Sequence, residues 1–505
     1  MKLVTVSAAW LGGCPSIAHL VGAISLFILA GCTAMAPVNP PIASVQVDSG
    51  YRLKRLNRPG GQRHNDPRTL VLLAFSGGGM RAAALSYGVL EELRREKITV
   101  EGDTHPLLDE VDLIAGVSGG SFTALAYALY GDRLFTEFVP RFLKRDVQGE
   151  LVARALRPSS WPRLASPGFG RSELAADYYD EILFGGATFD DLLGRDTPVA
   201  VVTGTDLSTG ARFEFTQDFF DLICSDLGKV RLARAAATSS AVPVVLTPVT
   251  FHNYGGSCGA PHPAWVDDIA RPDSSNRPAG RALLRYRDIV AIEDSASRPY
   301  LHVVDGGVSD NLGLRAMLEA FEELEASPLF RKSADLASLR HIVVVTVNSR
   351  SAPSTDWDRS PSSPGLVAEL LQSSSVPIDH FSYESVELLK DTAQRWDNQR
   401  KLAVAERRLA GESQADAEAA VPAITFDTID ISFDAVTNPS ERRYFMDLPT
   451  TFYLPDEAVD RLRELGGRLF RESKTTQNLL KKIEGPDLPG ERENLWGQGL
   501  APLSR

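Results

Sequence analysis

The sequence predicts an α/β fold built around a largely parallel sheet, and two stretches carry that prediction. "TLVLLAFSGGGMRAAALSYGVLEELRRE" spans residues 69–96, and "VDLIAGVSGGSFTALAYALY" spans 111–130. Each begins with an apolar run, turns on glycines, and continues in residues that favour a helix. An apolar run without alternation is the pattern of a strand buried on both faces. Repeating the strand–glycine–helix unit at short separation favours parallel pairing.

Further elements follow the same logic. "TPVAVVTG" (197–204), "LHVV" (301–304) and "HIVVVTV" (341–347) read as strands. "AITFDTIDISF" (423–433) alternates apolar and polar residues and reads as a half-buried strand. Helices are expected near 135–157, 172–183, 310–325, 365–410 and 455–483. "SAPSTDWDRSPSSP" (351–364) is a polar, Pro-rich connection, and 410–421 reads as an exposed one.

Composition narrows the function classes. A net charge of −12 argues against nucleic acid as a partner. Four cysteines are too few for a disulfide-built scaffold.

Three motifs carry chemistry. Ser118 sits in Gly116-Val117-Ser118-Gly119-Gly120, between a strand and a helix. A serine held on that sharp turn needs small neighbours, which Gly116 and Gly120 supply, and it faces the positive end of the helix dipole. "SGGGMR" (76–81) places Gly77, Gly78 and Gly79 at a second strand–helix junction. Their bare amides make an anion cradle, and Arg81 adds charge or anchors the loop by an ion pair. The endings of a P-loop or dinucleotide loop are absent. In "LHVVDGGVSDNLG" (301–313), Asp305 ends a strand and precedes Gly306 and Gly307, either as a plain Asp-Gly turn or as an acid aimed at a neighbouring loop.

In this order, the three motifs resemble the patatin-like phospholipase family over roughly residues 69–315. "TDLSTGARFEF" (205–215) is similar to a hairpin of that family, and "AAATSSAVPVVLTPV" (235–249) to its helix-then-loop segment. Ala82 stands where the family often has Gly after the basic residue. The resemblance implies a three-layer sandwich, with its central, mostly parallel sheet flanked by helices. It implies Ser118 as nucleophile, Asp305 as its base, and Gly77–Gly79 as an oxyanion hole. The implied activity is lipid acyl hydrolysis without metal or cofactor. A Ser-His-Asp esterase is the enzyme alternative, with His341 and His380 as the histidines that follow Asp305. A lipoprotein that binds lipid without catalysis is the alternative outside enzymes.

The N-terminus points to the cell envelope. "HLVGAISLFILAGC" (19–32) is apolar, short for a membrane span, and ends in small residues. Leu29-Ala30-Gly31-Cys32 resembles a bacterial lipobox, which implies lipidation at Cys32 and an anchor in the envelope, at the periplasmic side of the outer membrane. The expected organisation is a lipoprotein signal peptide (1–31) and a Pro/Ser-rich tether (32–66). A catalytic domain (67–350), a mainly helical C-terminal extension (351–490) and a tail (491–505) follow. Arg52, Lys54, Arg55 and Arg58 form a basic run that either meets lipid headgroups or is solvated. Cys224 and Cys258 are candidates for a disulfide; the competing metal site of His252, Cys258 and His262 matches no common zinc spacing.

Overall fold

The computed structural model describes residues 38–53, 66–100, 102–261, 266, 280–326, 339–352, 357–421 and 424–483. The expected signal peptide (1–31), Cys32, His262 and the expected tail (491–505) lie outside these residues. The strands are β1 (Thr69–Phe75), β2 (Lys97–Val100), β3 (Asp103–Pro106), β4 (Val111–Gly116), β5 (Val199–Asp206), β6 (Arg212–Glu214), β7 (Val249–His252), β8 (Tyr300–Asp305), β9 (His341–Asn348) and β10 (Thr425–Ser432). The main sheet runs β10-β9-β1-β4-β5-β8-β7, with β6 paired to β5. From β10 to β5 every pairing is parallel, whereas β8 runs antiparallel to β5, and β7 to β8. All eight residues of β5 and all eight of β9 are buried. Uninterrupted burial of that kind requires cover on both faces, which gives the three layers expected from sequence.

Five helices matter most for the site and its surroundings: α1 (Gly79–Arg95), α2 (Gly119–Tyr130), α3 (Val147–Leu156), α4 (Leu232–Ser239) and α5 (Leu366–Leu409). Near the C-terminus, α6 (Asp456–Glu472) lies across α1. Gly88 of α1 sits against the carbonyl of Arg463, and Gly466 of α6 against that of Leu85. Backbones this close leave no room for a Cβ on either helix.

Three expectations about organisation are corrected. The C-terminal region is mainly helical as expected, but its described residues form no separate unit, because β10 extends the main sheet in register with β9 and α6 covers α1. The sheet needs that edge strand to bury β9, so the boundary at 350 does not divide two units. The tether reading fails at 38–53, where Asn39 bonds Ser225 and the main chain at His252, and the buried Tyr51 hydroxyl donates to Ala200 O at 3.2 Å. Polar side chains there find partners on the domain surface, so packed chain begins well before Thr69. Arg52 leaves the basic run, as it is buried and paired with Asp218 and Asp221 at 2.9 and 2.7 Å. Lys54, Arg55 and Arg58 lie outside the described residues.

Smaller differences concern breaks in helices. The stretch 455–483 is two helices separated at Ser473. The connection at 410–421 contains a helix, Gln414–Ala420, whose first turn is capped by the Ser413 hydroxyl accepting from Asp416 N. Cys224 and Cys258 form a disulfide that ties the end of one helix to a loop 34 residues on. That takes Cys258 out of the metal alternative, and among the described residues no group of metal-binding side chains is present.

Candidate active site

Sheet register brings the site together. Gly116 of β4 pairs with Val202 of β5. Two residues further along, Ser118 stands beyond the end of β4, level with Gly204. Gly204 pairs with Asp305 at the end of the antiparallel β8. The reversal of β8 is what points its last residue at the turn following β4.

Ser118 has φ +48 and ψ −118, a left-handed conformation rare for a residue with a Cβ. The turn is held by several contacts. Ser118 N–H donates to Ser239 Oγ at the end of α4 (2.8 Å), and Ser121 Oγ donates to Ser118 O (2.6 Å). A Cβ on Gly116 would meet Ala124 and Gly120 O at 2.9 Å, and one on Gly120 would meet Phe75 O at 2.6 Å. Both predicted clearance glycines are therefore required by the close approach of α2 to β1 and β4.

Ser118 Oγ donates to Asp305 Oδ2 at 2.9 Å, with both residues buried. Asp305 Oδ1 accepts from Gly307 N at 2.7 Å. Burial raises the Asp305 carboxyl from its usual 3.8 to about 6, against the opposing pull of Gly307 N–H and Ser118. The backbone is fixed as well: Asp305 N–H donates to Ala241 O, and Gly306 N–H to Ser239 O. A Cβ on Gly306 would collide with Thr203 O, so this position tolerates only glycine.

The glycine loop after β1 lies beside the serine. A Cβ on Gly77 would come within 3.3 Å of Ser118 Cβ. Gly77 is nevertheless not a free donor, because its N–H is bonded to Asn311 O at 2.8 Å. This corrects the three-glycine hole. Gly78 and Gly79 have φ +136 and +59, and their N–H groups meet no acceptor among the described residues. A third unbonded amide belongs to Gly119, the residue after the serine. A Cβ there would run into Gly79 O, so the two turns are in direct contact. Gly119 went unassigned in the sequence reading, although the position after an elbow nucleophile is a general source of an oxyanion donor.

Arg81 differs from expectation in its partners. It is buried and makes no ion pair among the described residues. Its guanidinium donates to Ser349 O (2.7 Å), Leu448 O (2.6 Å) and Thr450 Oγ1 (3.0 Å). Burial lowers it to about 10, with the Asp379 charge acting the other way. Ser349 also donates through its hydroxyl to Gly77 O at 2.9 Å, and Met80 N–H donates to Thr451 O at 2.8 Å. The loop is thus fastened to the ends of β9 and to residues 448–451. Ser239, Asn311, Ser349 and Thr451 were not assigned roles from sequence, since each acts through contacts far away in the chain.

The histidines stand elsewhere. His341 opens β9, at the opposite end of the strands from Ser118, and bonds Asp427 at 2.7 Å. His380 is exposed on α5.

Fold and site together define an α/β chain with a strained serine turn facing a buried carboxylate. Residues 73–318 match the family model of the patatin-like phospholipases, so the chain carries a patatin-like phospholipase domain. No curated protein sequence matches the chain. Among solved structures, human GIVD cytosolic phospholipase A2 in complex with methyl gamma-linolenyl fluorophosphonate is 13% identical, with a TM-score of 0.40. That match covers 93% of this chain and 63% of the human one, so this chain spans less than two thirds of its length. VipD from Legionella pneumophila is 12% identical, with 91% of this chain and 73% of that one covered and a TM-score of 0.28.

Proposed function

We propose that this protein is a serine lipid acyl hydrolase that cleaves carboxylic esters of lipids or phospholipids through Ser118 and Asp305. The observation that carries the reading is the 2.9 Å hydrogen bond from Ser118 Oγ to a buried carboxylate, beside three unbonded amides. An ordinary aspartate, with a pKa of about 3.9, is a weak base for a hydroxyl. Burial makes Asp305 more basic, which supports its role as proton acceptor.

In the first step Ser118 Oγ bonds to the ester carbonyl carbon while Asp305 Oδ2 takes the hydroxyl proton. The Gly78, Gly79 and Gly119 amides stabilise the oxyanion. The C–O bond to the alcohol breaks, and Asp305 returns the proton to the leaving oxygen. In the second step a water attacks the acyl-serine, giving its proton to Asp305, which passes it to Ser118 as the fatty acid departs.

The test is labelling of the folded protein by a fluorophosphonate at Ser118, together with hydrolysis of a lipid ester. Asp305→Asn is expected to abolish hydrolysis, and His341→Ala and His380→Ala to retain it. Loss of activity in a folded His variant would favour the Ser-His-Asp esterase; no labelling would favour a lipid-binding protein without catalysis. Because Asp305 acts as a base, kcat/KM should rise with pH through about 6 and then level off.

The lipobox-like Leu29–Cys32 supports a second part of the reading: lipidation at Cys32 and retention in a bacterial envelope. Globomycin treatment of expressing cells should leave a larger, unprocessed form. An unchanged size would refute it.

A further inference from the structure

Two exposed apolar features border the catalytic frame. The first is the tip of the loop that leaves α4. Ala241 O and Ser239 O hold Asp305 and Gly306, and three residues later Val244 and Val245 stand 62% and 58% exposed. Val244 has φ +73, a left-handed conformation that is an outlier for a β-branched side chain. A strained, solvent-facing valine is costly in water and is kept only where its surroundings impose it. Here Arg171 imposes it by donating to the carbonyls of both Val244 and Val245.

The second feature is the excursion through α3 and the turn Trp161–Leu164. Leu156 is 68% exposed and Trp161 57%. The excursion is joined to the valine loop. Arg163 ties the Trp161 turn to Asp177 and stacks on Phe169, and Gly170 abuts Thr247. Residues 147–171 carry four arginines and one glutamate, within a chain of net charge −12. Arg171 has no carboxylate partner among the described residues, and Arg157 reaches Glu150 only at 3.9 Å.

We infer that Val244, Val245, Leu156 and Trp161 enter a phospholipid surface, with Arg157 and Arg171 against anionic headgroups. A tryptophan and aliphatic side chains flanked by arginine match the chemistry of a membrane interface. The valine tip lies three residues beyond Ala241, whose carbonyl holds Asp305, so docking would bring the chain around Ser118 and Asp305 to the lipid surface. This rests on the proposed hydrolase function for its purpose and for the hydrolysis arm of its test, but not for the quenching arm.

The test uses the full chain carrying Ser118→Ala, so that no lipid is consumed. Vesicles of phosphatidylcholine and phosphatidylglycerol with brominated acyl chains quench tryptophans that enter them. Adding Trp161→Phe should reduce the quenched fraction; equal quenching with and without Trp161 would overturn the inference. Dimerisation without vesicles that depends on Trp161 would overturn it in favour of a second copy of the chain. On the active background, Val244→Asp places a charge where aspartate tolerates the left-handed backbone. Hydrolysis of vesicle lipid should fall about tenfold more than hydrolysis of a soluble short-chain ester, the loss expected for removing one inserted side chain. Equal losses on both substrates would overturn the inference. Trp161-dependent quenching, with the Ser118-bearing parent hydrolysing neither substrate, would leave docking intact and refute the proposed function instead.

Discussion

The turns after β1 and after β4 share one plan and differ in what holds them. Both are strand–glycine–helix junctions at the same end of the sheet, and they touch where Gly119 meets Gly79 O. The turn after β4 carries the proposed nucleophile and is held from the β8 side of the sheet, by Ser239 at the end of α4 and Asp305 at the end of β8. The turn after β1 carries only backbone. It is held mainly from the opposite side, by Ser349 after β9 and by the carbonyls of Leu448 and Thr451, with Gly77 N–H on Asn311 O as its tie to the β8 side. The proposed nucleophile and the Gly78–Gly79 part of the proposed anion cradle thus lean mainly on different parts of the chain, and they meet at Gly119 and at Asn311. The difference teaches why the C-terminal third belongs to the site without contributing a reacting group.

The strongest way to break the comparison is to remove the chemistry from one turn while leaving both folded. Ser118→Ala and Asp305→Asn should each lower kcat on a lipid ester by about 10³-fold or more, as removal of a nucleophile or base does elsewhere. Circular dichroism should be unchanged, because neither side chain fills a packed core. A variant with near-normal kcat would remove that residue from the mechanism.

How far this site was legible differs between the two turns for a physical reason. Ser118, Gly116 and Gly120 were legible because each constraint is local: a residue at a strand end, with neighbours that must be small. Asp305 reads locally as a plain turn or an acid, and only the family resemblance singled it out. The parallel core was legible too, since strands buried on both faces write uninterrupted apolar runs. The partners of Arg81 were not. They are main-chain carbonyls at 349 and 448, and a carbonyl leaves no mark in side-chain sequence. The loss of Gly77 from the hole was hidden in the same way, because the acceptor is the backbone of Asn311. The place of 425–432 was visible as a strand but not as a sheet edge, since alternation reports exposure and not neighbours.

The contact between the turns can be broken at Gly119. A Cβ there would strike Gly79 O and push apart the amides proposed to bind the oxyanion. Gly119→Ala should lower kcat about 10²- to 10³-fold with the Ser118–Asp305 pair still present, the range seen when one oxyanion donor is lost. Fluorophosphonate labelling should slow in parallel, which separates this variant from one that cannot bind lipid.

A stability measurement sharpens what the β4 side costs. The Asp305 carboxyl lies at about 6 in the folded chain against 3.8 for the ordinary group, because burial disfavours its charge. Between these values the folded state holds the proton more tightly, so stability declines as pH rises, and the full penalty is present above about 6. A shift of about two units corresponds to roughly 3 kcal/mol. Asp305→Asn should therefore be more stable than the parent at pH 8, by up to about 3 kcal/mol, and the gain should shrink toward pH 4. Denaturant titrations at the two pH values check this; a gain independent of pH would mean that the charge of Asp305 is not the source.

The smallest effect concerns how the β1 side is held. A cation at the N-terminal end of α1 opposes the helix dipole, so its charge does not explain its position there. What Arg81 offers is reach: one planar group spans Ser349 O, Leu448 O and Thr450 Oγ1 and joins the end of β9 to the C-terminal segment. A lysine keeps the charge but presents it at a single point, and cannot span those three acceptors. If the fork is what matters, Arg81→Lys should lower kcat about tenfold with KM little changed, equivalent to about 1.4 kcal/mol of transition-state stabilisation. Arg81→Met should then do no worse in kcat than Arg81→Lys, beyond its own loss of stability. If Arg81→Lys instead keeps full kcat while Arg81→Met loses it, the positive charge acts on the oxyanion directly, and the β1 turn contributes more than backbone.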